Sequence, residues 1–232
     1  MSGDKLITGW INEYIKGGDV AFDIGANQGL HTKTMLKAVG KLGRVVAFEP
    51  VPANIEILSG IQASNNALTL VPCAIGEEIG RRSFNIDIRA GMGAAASSFH
   101  KLSGLDEVSQ IDVAIKTLDS FVGESDNSLI PRFIKIDVEG YELNVFQGAT
   151  PLISTCRPII VFEFWETWFP RARPIFEFLN PGYSMFSSLR GEDAYRIYCE
   201  NDFDGVADIL FLPVNSNELN SEVLRACRGF IS

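Results

Sequence analysis

Residues Asp19 to Thr32 read DVAFDIGANQGLHT. Asp19 to Ile24 form a near-continuous apolar run of strand length, the pattern of a strand covered on both faces. Gly25 and Gly29 then bracket a five-residue turn, and apolar residues at helical spacing follow over Leu30 to Val39. Two glycines let the backbone bend sharply and approach a ligand with no Cβ in the way, while the helix start offers unpaired N–H groups. A buried strand passing through such a turn into a helix is the opening unit of a parallel α/β sheet with a ligand at its strand ends.

The unit recurs along the chain. Arg44 to Phe48, Leu68 to Cys73, Phe133 to Val138 and Ile159 to Phe164 are further apolar runs of strand length. Between them Pro52 to Ser64, Glu142 to Gly148 and Pro174 to Leu179 show helical spacing, with Pro52 and Pro174 read as first-turn prolines. The reading is α/β: a doubly wound, mostly parallel sheet. Arg82 to Ile88 and Ile111 to Thr117 read as extra strands, and with the small-residue segment Gly91 to Ser98 they suggest an inserted hairpin or flap around residues 80–117. Tyr183 to Ser187, Tyr195 to Cys199 and Asp208 to Pro213 read as antiparallel strands closing the sheet edge. A single domain over 1–232 is expected, with residues 1–18 as a helical segment packed on it.

Composition narrows the function. A chain of 232 residues buries roughly three quarters of the surface its unfolded form exposes, enough for one large core. No stretch approaches the ~20 consecutive apolar residues of a membrane span, and Met1 to Tyr14 lack the pattern of a secretory signal, which places the protein in the cytoplasm. Cys73, Cys156, Cys199 and Cys227 are scattered without metal-ligand spacing, so they read as reduced core thiols. A net charge of −9 disfavours a nucleic-acid partner, Arg171 and Arg173 being the local exception considered.

Three stations along the chain carry chemistry. A nicotinamide-binding turn expects Gly-x-Gly-x-x-Gly, and the spacing here is Gly-x-x-x-Gly. With Asp23 at the strand end, the turn suits a ligand bearing an ammonium and a carboxylate: Asp23 attracts the cation and loop N–H groups meet the carboxylate. S-adenosylmethionine has that pattern of charge. Glu49 ends the second strand, where an open sheet presents an acid to ribose hydroxyls, a reading preferred to a cap for the helix behind Pro50 and Pro52. Asp137, Glu139 and Glu142 cluster at the end of a strand expected beside the first, and therefore over the same crevice.

VAFDIGANQGLHT (Val20 to Thr32), AFEPVPAN (Ala47 to Asn54), IKTLDSF (Ile115 to Phe121) and above all FIKIDVEGYELNVFQGA (Phe133 to Ala149) together resemble the FkbM-type methyltransferases, a class I family. The resemblance implies a Rossmann-like sheet of seven strands with the last antiparallel, S-adenosyl-L-methionine as methyl donor, and a hydroxyl of a small molecule, sugar or glycan as acceptor. It further implies that Asp23, Gly25, Ala26, Asn27 and Gly29 line the methionine end of the cofactor site. By the same carry-over Glu49 holds the ribose, and Cys73 and Ala74 lie near the adenine. His31 departs from the family, which more often has Tyr or Phe there.

Asp137 is the expected base or orienting group for the acceptor, supported by Glu139, Glu142 and Glu163, with Asp137 also counted among the cofactor residues. His31 and His100 are the alternative bases, since imidazole titrates near neutrality. A magnesium-like ion would accept the same hard oxygens but is not the favoured reading. Trp165, Trp168, Phe169 and Pro170 offer an acceptor wall. The rival functions are a nicotinamide-linked oxidoreductase, against which the glycine spacing argues, and a binding module that holds the cofactor without turnover.

Overall fold

The computed structural model describes residues 3–87, 108–125, 129–163, 169–179, 182–189, 195–197 and 206–214. The segment Gly91 to Ser98, His100, Trp165 and Trp168 lie outside them. In chain order the elements are α1 (Gly3–Tyr14), β1 (Val20–Ile24), α2 (Leu30–Val39), β2 (Arg44–Phe48), α3 (Pro52–Ala63), β3 (Leu68–Val71), β4 (Ala74–Ile75) and β5 (Gly80–Asp87). They continue with β6 (Val108–Lys116), α4 (Leu118–Glu124), β7 (Phe133–Ile136), α5 (Glu142–Gln147), α6 (Thr150–Cys156) and β8 (Ile159–Glu163). The last of the described elements are α7 (Phe169–Leu179), β9 (Tyr183–Leu189), β10 (Tyr195–Ile197) and β11 (Val206–Pro213).

The main sheet has eight strands in the order β10-β9-β11-β8-β7-β1-β2-β3. From β8 to β3 every pairing is parallel, and β1 lies between β2 and β7, where chain order reverses. This is the Rossmann-like frame, whose ligand crevice opens at the carboxyl ends of the strands beside that reversal. The three-residue β10 is an eighth strand beyond the seven expected. Every pairing at this edge is antiparallel, as the sequence suggested: β11, the last strand, runs against both β8 and β9, and β10 runs against β9.

Alternation along the strands divides the core into two layers. Phe22, Ile24, Ile134 and Ile136 face one side, packed under α4, α5, α6 and α7. Ala21 and Phe133 face the other, packed under α1, α2 and α3 with Trp10, Met35 and Leu58. The runs lack polar alternation because both faces are covered. Helix α7 starts at Phe169, so Pro174 sits inside it rather than in its first turn. Ala172, Ile175, Phe176 and Leu179 recur at helical spacing and are buried, and this apolar face carries the helix past its proline.

Strands β5 and β6 pair antiparallel as an inserted hairpin, with β4 alongside β6. A polar network fastens it to α5. Arg82 donates to the Tyr141 hydroxyl at 2.6 Å and pairs with Glu77 at 2.7 Å. Glu77 also accepts from the Tyr141 hydroxyl and from Asn144, each at 2.9 Å.

The turn after β1 depends on Gly25, whose φ is +74° and whose position leaves an added Cβ 1.8 Å from the Asp137 carbonyl oxygen. No rotamer relieves that clash, since the obstacle is backbone. Gly25→Ala is expected to lose at least about 2 kcal/mol of stability, read by thermal or urea unfolding; wild-type stability would contradict the close approach of β1 and β7.

Candidate active site

The parallel strands β1, β2 and β7 deliver their carboxyl ends to one cleft. Gly25, Asn27, Phe48, Glu49, Asn54, Ala74, Phe84, Asp137, Glu139 and Tyr141 are among the residues lining it. Gly25, Asn27, Glu49, Ala74, Asp137 and Glu139 are thus brought together as the sequence suggested. Asp23, Ala26, Gly29, His31 and Cys73 are not on the lining.

Asp23 is fully buried and accepts from Thr32 Oγ1 at 2.6 Å. Its other oxygen lies 3.2 Å from Lys135 Nζ. The carboxylate expected to attract a ligand's ammonium is committed to a lysine of the protein itself. Lys135 is the residue the sequence reading passed over. It is Asp23's register partner on β7, 2% exposed, and its ammonium also donates to the Gly25 carbonyl at 3.0 Å and pairs with Asp137 at 3.2 Å. Burial opposes the charge, but Asp137 and Asp23 overcome it and raise the lysine above its ordinary pKa. A lysine amid isoleucines in a strand otherwise buried on both faces was the available signal, because such a charge must be paired.

The loop's N–H groups are likewise committed. Those of Gly25 and Ala26 donate to the Phe48 carbonyl at 3.1 Å, that of Gly29 to the Ala26 carbonyl at 2.9 Å, and that of Asn27 to Glu49 at 2.8 Å. They fix the loop to the end of β2 instead of standing ready for a ligand carboxylate. Ala26 packs into the core. Gly29, at φ +82°, lies where a Cβ would press on Leu58 and Ile61 of α3. His31 is buried in the first turn of α2 and is not on the cleft lining. Cys73 also packs into the core, and burial pushes its thiol up to about 11.

Glu49 is buried, and burial raises its carboxyl above the ordinary range, against the opposing pull of several donors. One oxygen accepts from Asn27 N–H and the other from Val51 N–H at 2.9 Å. The Asn54 side-chain amide is a further hydrogen-bond partner. Glu49 therefore braces the loop and the start of α3 while still facing the cleft. Asn54 Oδ1, also buried, has no hydrogen-bond partner. An orphaned acceptor beside a carboxylate, under a glycine turn, is a set of acceptors that fits the hydroxylated end of a nucleoside.

The acids at the other end form a compact group. Asp137, Glu139 and Glu163 place one carboxylate oxygen each within 4.8 Å of one another. Glu139 has φ +54° and Gly140 φ +92°. Glu142 steadies this turn by accepting from the N–H groups of Gly140 at 3.1 Å and Val138 at 3.4 Å. Glu142 is a buried brace for the turn. Burial, then the charges of Asp137 and Glu142, push Glu139 up to about 7. Burial is also the main cause that lifts Glu142 to about 7. Glu163 rises to about 9 through burial and the charges of Asp137 and Glu139, with a hydrogen bond to Asp137.

Residues 23–203 match the model of the FkbM methyltransferase domain, a span covering most of the chain and both ends of the cleft. The chain belongs to this family. A protein called Methyltransferase 1 from Beauveria bassiana is 28% identical over 145 residues, 54% of this chain and 56% of the relative. The hexuronic acid methyltransferase AglP of Haloferax volcanii is 29% identical over 164 residues, 69% of this chain and 62% of the relative. The chain's matches thus span about six-tenths of these relatives. The crystal structure of an FkbM methyltransferase from Methylobacillus flagellatus superposes with a TM-score of 0.55 at 19% identity, over 84% of this chain and 43% of that one. That likeness concerns the fold.

Two outcomes follow for stability. Lys135→Met leaves Asp23 buried beside no cation and is expected to cost about 3–5 kcal/mol in denaturant unfolding, the range for breaking a buried ion pair. The raised glutamates make the folded chain hold protons that the unfolded chain, titrating near 4.5, has released. Their contribution to stability is full below about 4.5 and is lost as pH rises through about 7 and then about 9. The melting temperature of the ligand-free protein should therefore fall over that interval, and Glu163→Gln should flatten the upper part of the fall. An unchanged slope in the variant would contradict the packing of Glu163 against Asp137.

Proposed function

We propose that this protein is an S-adenosylmethionine-dependent O-methyltransferase whose acceptor is a hydroxyl on a small molecule, sugar or glycan. The observation that carries the reading is one cleft with two chemically different ends. At the β2 end Glu49 and Asn54, whose buried Oδ1 has no hydrogen-bond partner, line the space that would take a nucleoside. At the β7 and β8 ends stand Asp137, Glu139 and Glu163. Family membership supports methyl transfer, and the likeness to a hexuronic acid methyltransferase supports a carbohydrate acceptor.

S-adenosylmethionine supplies a methyl group on a sulfonium, which is already electrophilic. The protein's task is then alignment and removal of the acceptor's proton. Asp137 has one oxygen held by Lys135 at 3.2 Å, which fixes the side chain while it remains partly exposed to the cleft. It is the group placed to orient an acceptor hydroxyl and take its proton. Glu139, titrating at about 7, is the neighbour able to carry that proton onward at neutral pH.

The test is production of S-adenosylhomocysteine with a panel of hydroxylated acceptors. Asp137→Asn is expected to lower kcat by about 10²–10⁴-fold while the affinity for S-adenosylhomocysteine stays within about threefold. Loss of affinity and turnover in equal measure would instead make Asp137 a cofactor ligand. Turnover should survive exhaustive chelation, and a loss restored by added magnesium would contradict a metal-free mechanism.

A further inference from the structure

Asn54 stands on the first turn of α3, is 1% exposed, and lines the cleft beside Glu49. Glu49 already serves three donors: Asn27 N–H, Val51 N–H and the Asn54 amide. A carboxylate offers about four lone-pair positions, so Glu49 has room for about one more hydrogen bond. The two hydroxyls of a vicinal diol need a second acceptor.

Asn54 Oδ1 is such an acceptor, buried and without a partner. Buried polar atoms are rarely left in that state. The side chain's orientation follows from its neighbour, because the reverse amide would set its oxygen against the Glu49 carboxylate. The nitrogen therefore faces Glu49 and the oxygen is the atom left for a ligand.

We propose that Asn54 is a ligand-binding residue whose Oδ1 accepts from one hydroxyl of a vicinal diol while Glu49 accepts from the other. The inference rests on the nucleoside-cofactor reading above and deepens it. The diol is read by two residues on different elements, Glu49 at the end of β2 and Asn54 in α3, and each hydroxyl has its own acceptor.

The test is calorimetric binding of S-adenosylhomocysteine and of its 2′-deoxy and 3′-deoxy analogues. In the wild-type protein each single deletion should weaken binding roughly tenfold, the loss expected for one hydrogen bond in a buried site. Asn54→Leu, which keeps the branching at Cγ and has no side-chain polar atoms, should erase the penalty for one analogue and keep the penalty for the other. Asn54→Ala serves the same purpose if the leucine variant does not fold, with thermal unfolding as the check. A wild-type protein that senses only one hydroxyl, or neither, overturns the proposal, because Glu49 alone then suffices. A folded variant that keeps both penalties overturns it as well. A wild-type protein that does not bind S-adenosylhomocysteine at all removes the cofactor reading itself, an outcome distinct from the other two.

Discussion

The Lys135 ammonium lies within 3.2 Å of carboxylates on both sides, Asp23 and Asp137, and donates to the Gly25 carbonyl at 3.0 Å. Removing an ammonium from water costs several kcal/mol, which only well-placed partners offset. Three partners reach it because β1 and β7 are register neighbours and because the turn at Gly25 brings its carbonyl over the same spot. Glycine is required there by the Asp137 carbonyl, which would otherwise meet a Cβ. One buried charge therefore holds two central strands, the glycine turn and the principal acid of the cleft in a single arrangement.

The cleft's division of labour grows from that arrangement. Below the sheet ends, Asp23 and the loop N–H groups are joined to one another and to β2, so the loop is a rigid wall. Above it, Glu49 and Asn54 keep acceptor capacity facing the cleft, and the acids on β8 and the β7 turn crowd together. Burial, reinforced by that crowding, keeps Glu139 and Glu163 protonated to higher pH than isolated glutamates. Such displaced titration is common where proton transfer is the task.

The frame was legible in the sequence because strands buried on both faces leave long apolar runs, and because Gly25 and Gly29 mark a strand-to-helix turn. Strand neighbours followed from the parallel pattern, and Asp137 was placed over the right crevice. Strand order at the far edge was not legible: β9 and β11 are both apolar, and only pairing shows that β11 inserts between β8 and β9. At the site, residue type revealed which acids gather at the cleft but not where their hydrogen bonds go. Asp23 reads as a ligand group until Lys135, 112 positions away, is found against it. Asn54 sat within a quoted motif, but an orphaned oxygen is a property of packing and has no signature in the chain.

The proposed function puts a nucleoside cofactor in this cleft with its reactive end toward Asp137. A crystal structure with S-adenosylhomocysteine bound tests it most directly. The account predicts the ribose against Glu49 at the end of β2 and the sulfur on the Asp137 side of the cleft. Density for the nucleoside away from Glu49, or a sulfur turned from the Asp137, Glu139 and Glu163 group, would contradict it.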